Sequence, residues 1–190
     1  MTFLAFVLTL FVFNKFTSFV EGRPGANLVD PVLSLFPPTK MTWFTFLLIY
    51  GSIVMAVFDL KRAPEQFLFG VQAYICLIMV RMLAMYLTPL DPPVGMILLR
   101  DPIVEFFASD RQLTRDLFFS GHTATLFLLF LVTPSKKLKI FFLASTIVVA
   151  FCLLLQHVHY STDIVSAPFF SYSCYRMIGV LRKRYFKALA

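Results

Sequence analysis

Six apolar stretches, each near the length that crosses a bilayer, dominate this chain: about 2–20, 41–60, 66–88, 117–133, 138–156 and 160–180. A spanning helix needs about 20 predominantly apolar residues. Inside hydrocarbon a helix also satisfies its backbone N–H and C=O groups within its own segment. Composition agrees with this pattern. Of 190 residues, 59% are hydrophobic and 14% are charged, 24 are Phe, and the mean hydropathy is +0.81. A soluble domain carries about 25% charged residues, so this chain cannot cover an aqueous surface. The expectation is an all-α, polytopic membrane protein with six transmembrane helices. Residues 1–190 then form a single membrane domain, with no room for a second, soluble one.

The first stretch is the weakest, because Asn14 and Lys15 interrupt it. It lacks the basic start and small-residue cleavage site of a signal peptide, so it reads as a span. Between the first two spans, four prolines and two glycines in residues 22–38 predict an irregular surface loop. The connection from Pro89 to Asp116 is the longest, and its apolar run Val94–Leu99 predicts a short interfacial helix.

Lys and Arg set the orientation. Lys61, Arg62, Lys136, Lys137, Lys139, Arg182, Lys183, Arg184 and Lys187 follow the even-numbered spans, nine on one side. Arg23, Lys40, Arg100, Arg111 and Arg115 are the five on the other. Both termini are expected in the cytoplasm, with the opposite ends of the spans facing the periplasm, a lumen or the cell exterior. The net charge of +7 does not point to nucleic acid, since the basic residues sit at the ends of apolar runs. Cys76, Cys152 and Cys174 lie within apolar segments without metal-type spacing and read as buried thiols.

All three histidines fall in two short segments at the exoplasmic ends of spans: Phe-Ser-Gly-His-Thr at 119–123 and His-Val-His-Tyr-Ser-Thr-Asp at 157–163. Histidine titrates near neutrality and suits proton transfer and attack on phosphorus. Ser120 can cap the helix that follows it, and Gly121 lets the backbone approach a ligand. The N–H groups and positive dipole end of such a helix favour phosphate. His159 and Asp163 are four apart and share a helix face. The carboxylate can accept Nδ1–H and leave Nε2 as a nucleophile. His157, two residues from His159, points elsewhere on a helix and reads as a structural residue. A His-x-His metal site involving Asp163 is the weaker alternative, and no metal or other cofactor is expected.

These segments resemble the core of the type 2 phosphatidic acid phosphatase superfamily, Ser-Gly-His followed by His-x-x-x-Asp. They are most similar to its sphingomyelin synthase-like branch. Asp116, Ser120, Gly121, His122 and Thr123 match that branch's Asp-x-x-x-Ser-Gly-His-Thr. His157, His159, Tyr160 and Asp163 match its His-x-His-Tyr-Thr-x-Asp, with Ser161 in place of the threonine. Arg81, Met85, Tyr86, Thr88 and Leu90 match a third segment, Arg-x-x-x-Met-Tyr-x-Thr-x-Leu. In its pattern of spans the resemblance covers residues 20–180. It implies that His159 attacks the phosphorus of a lipid ester, that Asp163 orients it, and that His122 protonates the departing alkoxide and then deprotonates the acceptor.

Two features of the lipid phosphatases are missing. The arginine six residues before the second histidine is Leu153 here, and their Lys-x6-Arg-Pro segment is absent. The sphingomyelin synthase-like branch lacks both as well. Arg81 is the first choice to clamp the phosphate, since an arginine inside a span is costly unless paired or functional. Its structural alternative is pairing with a carbonyl or with Asp116. Arg111 and Arg115 are further candidates, and Ser120, Gly121 and Tyr160 complete the expected substrate-binding set. Tyr86 and Tyr160 also fit an interfacial aromatic belt. An arginine that follows the second motif in the synthases has only a displaced counterpart here, Arg176.

The expected function is transfer of a phospho-head group from a phospholipid to ceramide or another lipid alcohol. Hydrolysis, with water as acceptor, uses the same histidines. A non-catalytic lipid-binding or scrambling protein is the alternative of another class.

Overall fold

The computed structural model describes residues 1–100 and 113–189. Six α-helices lie in that region: α1 (Thr2–Glu21), α2 (Thr42–Leu60), α3 (Pro64–Leu87), α4 (Gly121–Val132), α5 (Lys136–Leu155) and α6 (Ser161–Leu189). A single 3-10 turn, Leu33–Leu35, sits in the Pro-rich connection after α1. The protein is all-α, with a helix at each of the six expected places.

Four of the helices are long and apolar enough to cross a bilayer: α1, α2, α3 and α5. The other two depart from the expectation. α4 has 12 residues, about 18 Å at 1.5 Å per residue, against a hydrocarbon core of about 30 Å. Residues 117–120 are not helical but lead into the Ser120 cap, and Thr133 leaves α4 in extended conformation. α6 has ample length at 29 residues, but serines, Asp163 and the basic residues from Arg176 onward dilute its apolar character.

Local chemistry sets where the helices start. Pro64 is the first residue of α3, where its missing N–H costs nothing. Ser120 caps α4 by accepting the Thr123 N–H, and Ser135 caps α5 by accepting the Leu138 N–H. The cap of α6 comes from far away: Asp30 Oδ2 accepts the Ser161 N–H at 2.6 Å.

α3 and α4 are the hub. α4 packs on α5, α6, α3 and α2, α3 packs on α1 and α6, and α2 packs on α5. Ala73, Cys76, Leu77, Ala124, Leu128, Ala167 and Cys174 form the buried seam between α3, α4 and α6, where small side chains let backbones approach. Phe119 and Phe170 stack there with ring centroids 4.3 Å apart. Two polar side chains bond across helices here. Ser171 Oγ donates to the Ala124 carbonyl at 2.9 Å, and Gln66 Nε2 to the Val132 carbonyl at 2.8 Å.

The loops are braced as firmly as the helices. Ala26 forms a two-sided bridge with residues 89–91: its N–H donates to Pro89 O and its carbonyl accepts from Asp91 N, both at 3.0 Å. A Cβ on Gly25 would run into the backbone of Leu90, so only glycine fits there.

The segment 94–99 is not the expected interfacial helix. It makes one turn at Val94–Gly95 and then runs without regular structure. Pro92 and Pro93 precede it, Gly95 has φ +78°, and its backbone bonds go elsewhere. Ile97 N–H donates to Gln156 O at 3.0 Å, and Gln156 Nε2 returns a bond to Ile97 O at 3.1 Å. Residues 101–112 of this connection, including Arg111, lie outside the described residues.

Candidate active site

The two histidine segments meet through the backbone. The Ser120 N–H donates to the Asp163 carbonyl at 3.1 Å, which ties the start of α4 to the first turn of α6. His122, on α4, and His159, just before α6, both line one cavity of about 400 Å³. Arg81, Asp116, Gly121 and Thr114 contribute to the same polar end, and Met96, Leu98 and Arg100 border it from the braced segment.

His159 is buried, and its Nδ1 lies 3.3 Å from Asp163 Oδ2. A carboxylate only accepts, so Nδ1 carries the proton and the lone pair belongs to Nε2. Asp163 is fully buried, and its Oδ2 also accepts the Tyr160 N–H at 3.2 Å. Its place in the first turn of α6 lets the helix dipole favour its charge. His122 is half-buried, with the Phe46 ring edge-on at 6.0 Å.

Arg81 realises its structural alternative and lines the cavity at the same time. Nη1 pairs with Asp116 Oδ1 at 2.9 Å, Nε donates to the Phe119 carbonyl at 2.8 Å, and Nη2 donates to the Asp116 carbonyl at 3.2 Å. The Gly121 backbone lies directly over this guanidinium. A Cβ at 121 would stand 3.0 Å from Arg81 Cζ and 3.1 Å from Nε. The glycine of Ser-Gly-His is therefore explained inside the protein: it admits the arginine. Gly121→Ala should push the guanidinium by a few tenths of an ångström and lower turnover about tenfold, since small misplacements cost rate steeply. The melting temperature in detergent should change little, because the neighbour that yields is the end of a flexible side chain. Unchanged turnover would show that the contact is incidental.

Three expected substrate-binding residues do not line the cavity. Ser120 is fully buried, and its hydroxyl contacts Thr123 as the helix cap. Tyr160 is buried rather than in an interfacial belt. Its hydroxyl donates to Asp91 O at 3.0 Å and accepts the Leu28 N–H at 3.3 Å, bracing two loops. Arg115 points away. Its Nε donates to Asp91 Oδ1 at 2.7 Å, and Nη1 donates to Glu21 O at 2.7 Å. That bond from Arg115 holds the Asp91 carboxyl below its usual range. Asp30 is lowered too: burial opposes its charge, but bonds from Ser161, Val32 and Leu33 outweigh it. Both braces therefore stay ionised at neutral pH and weaken only in acid.

His157 is held among the loops. It sits at φ +53°, its Nδ1 is 3.1 Å from Val94 O, and Phe36 packs against its ring at 5.7 Å. No group of metal-ligating side chains occurs among the described residues. Arg176 is exposed on α6 and does not border the cavity.

Two residues were missed in sequence. Arg100 borders the cavity, and its signal was its place directly after the apolar run 94–99. Gln156 is fully buried and joins the start of α2 to the cavity border, accepting Met41 N–H at 2.9 Å. Its signal was an amide closing an otherwise apolar span.

Residues 115–180 match the family model described as PAP2 superfamily C-terminal. The matched segment contains both histidine motifs. No curated protein and no solved structure matches the chain.

Proposed function

We propose that this protein is an integral membrane enzyme that transfers the phospho-head group of a phospholipid to a lipid alcohol, in the manner of sphingomyelin synthesis. The observation that carries the reading is the convergence of His122 and the His159–Asp163 pair on one cavity beside a buried arginine. The match of residues 115–180 to a family of phosphate-ester enzymes supports the same chemistry.

In this reading His159 Nε2 attacks phosphorus, and the bond from phosphorus to the glycerol oxygen breaks. His122 gives the departing alkoxide its proton, leaving diacylglycerol and a phosphohistidine. The acceptor hydroxyl then loses its proton to His122 and attacks phosphorus, and the P–N bond breaks to restore His159. Asp163 holds the ring and balances the charge of the phosphorylated imidazole. Arg81, already oriented by Asp116, faces the phosphate. All six helices span or enter the membrane, both termini are cytoplasmic, and the histidines open to the exoplasmic side.

A head-group-labelled phospholipid panel, with and without ceramide, tests the reaction. The expected result is a new labelled lipid that appears only with ceramide. Release of a water-soluble labelled head group, unaffected by ceramide, would replace transfer by hydrolysis. No turnover of any lipid would favour a binding or scrambling protein. Orientation is tested separately with a maleimide that does not cross membranes. The native cysteines are buried, so Val29→Cys, on an exposed loop residue, should label from outside intact cells and Lys137→Cys should not. The reverse pattern would invert the site.

A further inference from the structure

The cavity continues well past the histidines, and its deep part is apolar. On α2 it is lined by Phe46, Ile49, Tyr50 and Ile53, and on α3 by Tyr74, Leu77, Ile78 and Arg81. Both rows follow the spacing i, i+3, i+4, i+7, so each is a single face of its helix. The cavity therefore runs along the two helices instead of across them. From Phe46 to Ile53, and from Arg81 to Tyr74, is seven residues or about 10 Å at 1.5 Å per residue. Leu10 and Phe13 add a third wall from α1.

Among the described residues, that third wall stands apart from α2. α1 packs on α3, and α2 packs on α3, α4 and α5, but α1 and α2 make no substantial contact with each other. The flanking surfaces are apolar and exposed, with Val7 and Phe11 on α1 and Leu47 and Val54 on α2. The volume of about 400 Å³ is near the lower end of ligand sites, which run from about 300 to 1,000 Å³. It suits one chain and not a whole two-chain lipid.

We propose that one acyl chain of the substrate passes between α1 and α2 and lies along these two rows, with Ile53 and Tyr74 limiting the chain length accepted. The phosphorus then sits at the histidines, and the second chain stays in the bilayer. This rests on the reading of the site as a lipid phosphate-ester site.

The test uses the full-length protein in vesicles containing an 18-carbon phosphatidylcholine with a photoactivatable group at about the eighth carbon of one acyl chain, the reach of rows about 10 Å long. Crosslinks should map to Leu10, Ile53 and Tyr74. Ile53→Trp should reduce labelling at Leu10 and Tyr74 at least fivefold relative to lipid-facing Leu47. In turnover, Ile53→Trp should lower the preference for 18-carbon over 6-carbon chains at least tenfold, and Ile53→Ala should raise the longest chain accepted. Labelling confined to Leu47 and Val54, or an unchanged chain-length preference in both variants, would overturn the proposal. If the wild type turns over neither lipid, the catalytic reading fails while the crosslinks still decide the path of the chain.

Discussion

His159→Ala should abolish turnover, with a loss on the order of 10⁴-fold or more, because a missing nucleophile takes the whole covalent route with it. The neighbouring groups should each cost less. Asp163→Asn removes the carboxylate that fixes the Nδ1–H tautomer at 3.3 Å, and should cost about 10²–10⁴-fold. The Asp163 carbonyl, which holds Ser120 N–H, belongs to the backbone and survives this change, so the fold should persist. His122→Ala should lose about 10²–10⁴-fold with a natural lipid, the usual range for an acid–base group. With a nitrophenyl leaving group, which needs little protonation, most of that loss in the first step should disappear. Steady-state rates on both substrates for the three variants, with melting temperatures in detergent as controls, would check the order. Equal losses on both substrates in His122→Ala would remove it from the acid role.

Arg81→Ala should lower turnover about 10²–10³-fold, the scale of losing one positioned donor to developing charge, while Arg176→Ala should stay within about twofold. The contrast follows from burial and partners. Arg81 is 6% exposed, lines the cavity and holds both Asp116 and the Phe119 carbonyl. Arg176 is exposed and remote from the cavity, so its substitution should change stability by less than about 0.5 kcal/mol. Arg81→Ala also strands the Asp116 carboxylate and the Phe119 carbonyl, so some stability will be lost with activity. Arg81→Lys separates the two effects. A lysine keeps the charge beside Asp116 but cannot direct a planar fork at two carbonyls and a carboxylate. It should restore most of the melting temperature and leave turnover at least tenfold low. Recovery of both together would make Arg81 a purely structural residue, and a larger loss at Arg176 would move the phosphate clamp elsewhere.

Much of the fold was legible because bilayer hydropathy and helix length act locally. The places of all six helices, the Ser120 cap and the His159–Asp163 pair each depend on residues within one or two turns. The length of α4 was not legible in this way. Its apolar run begins at Leu117, but Ser120 starts the helix, and hydropathy does not register a cap. The roles of Tyr160 and Arg115 were hidden for a different reason. Both adjoin a catalytic motif, which made substrate contact the natural reading. Their partners lie far off in sequence: Leu28 is 132 residues from Tyr160, and Glu21 is 94 residues from Arg115. The interfacial helix at 94–99 failed because apolar composition alone predicted it. The bonds that Gln156 and His157 offer that backbone come from across the fold.

Tyr160, Arg115, Asp30 and Gln156 share a physical logic with the histidines they surround. The histidines stand at the ends of helices, where the loops meet. Each brace spends a polar side chain on a loop backbone or a helix end, and two of them, Gln156 and Asp30, hold the starts of α2 and α6.

The central claim is that phosphorus becomes bonded to His159. Rapid alkaline quenching of the protein during turnover of a phosphorus-labelled lipid, followed by peptide mapping, locates that bond directly. Label should appear on the peptide containing His159, vanish in His159→Ala, and persist in His122→Ala when the substrate carries a good leaving group. Label on His122, or turnover by His159→Ala at the wild-type rate, would contradict the account.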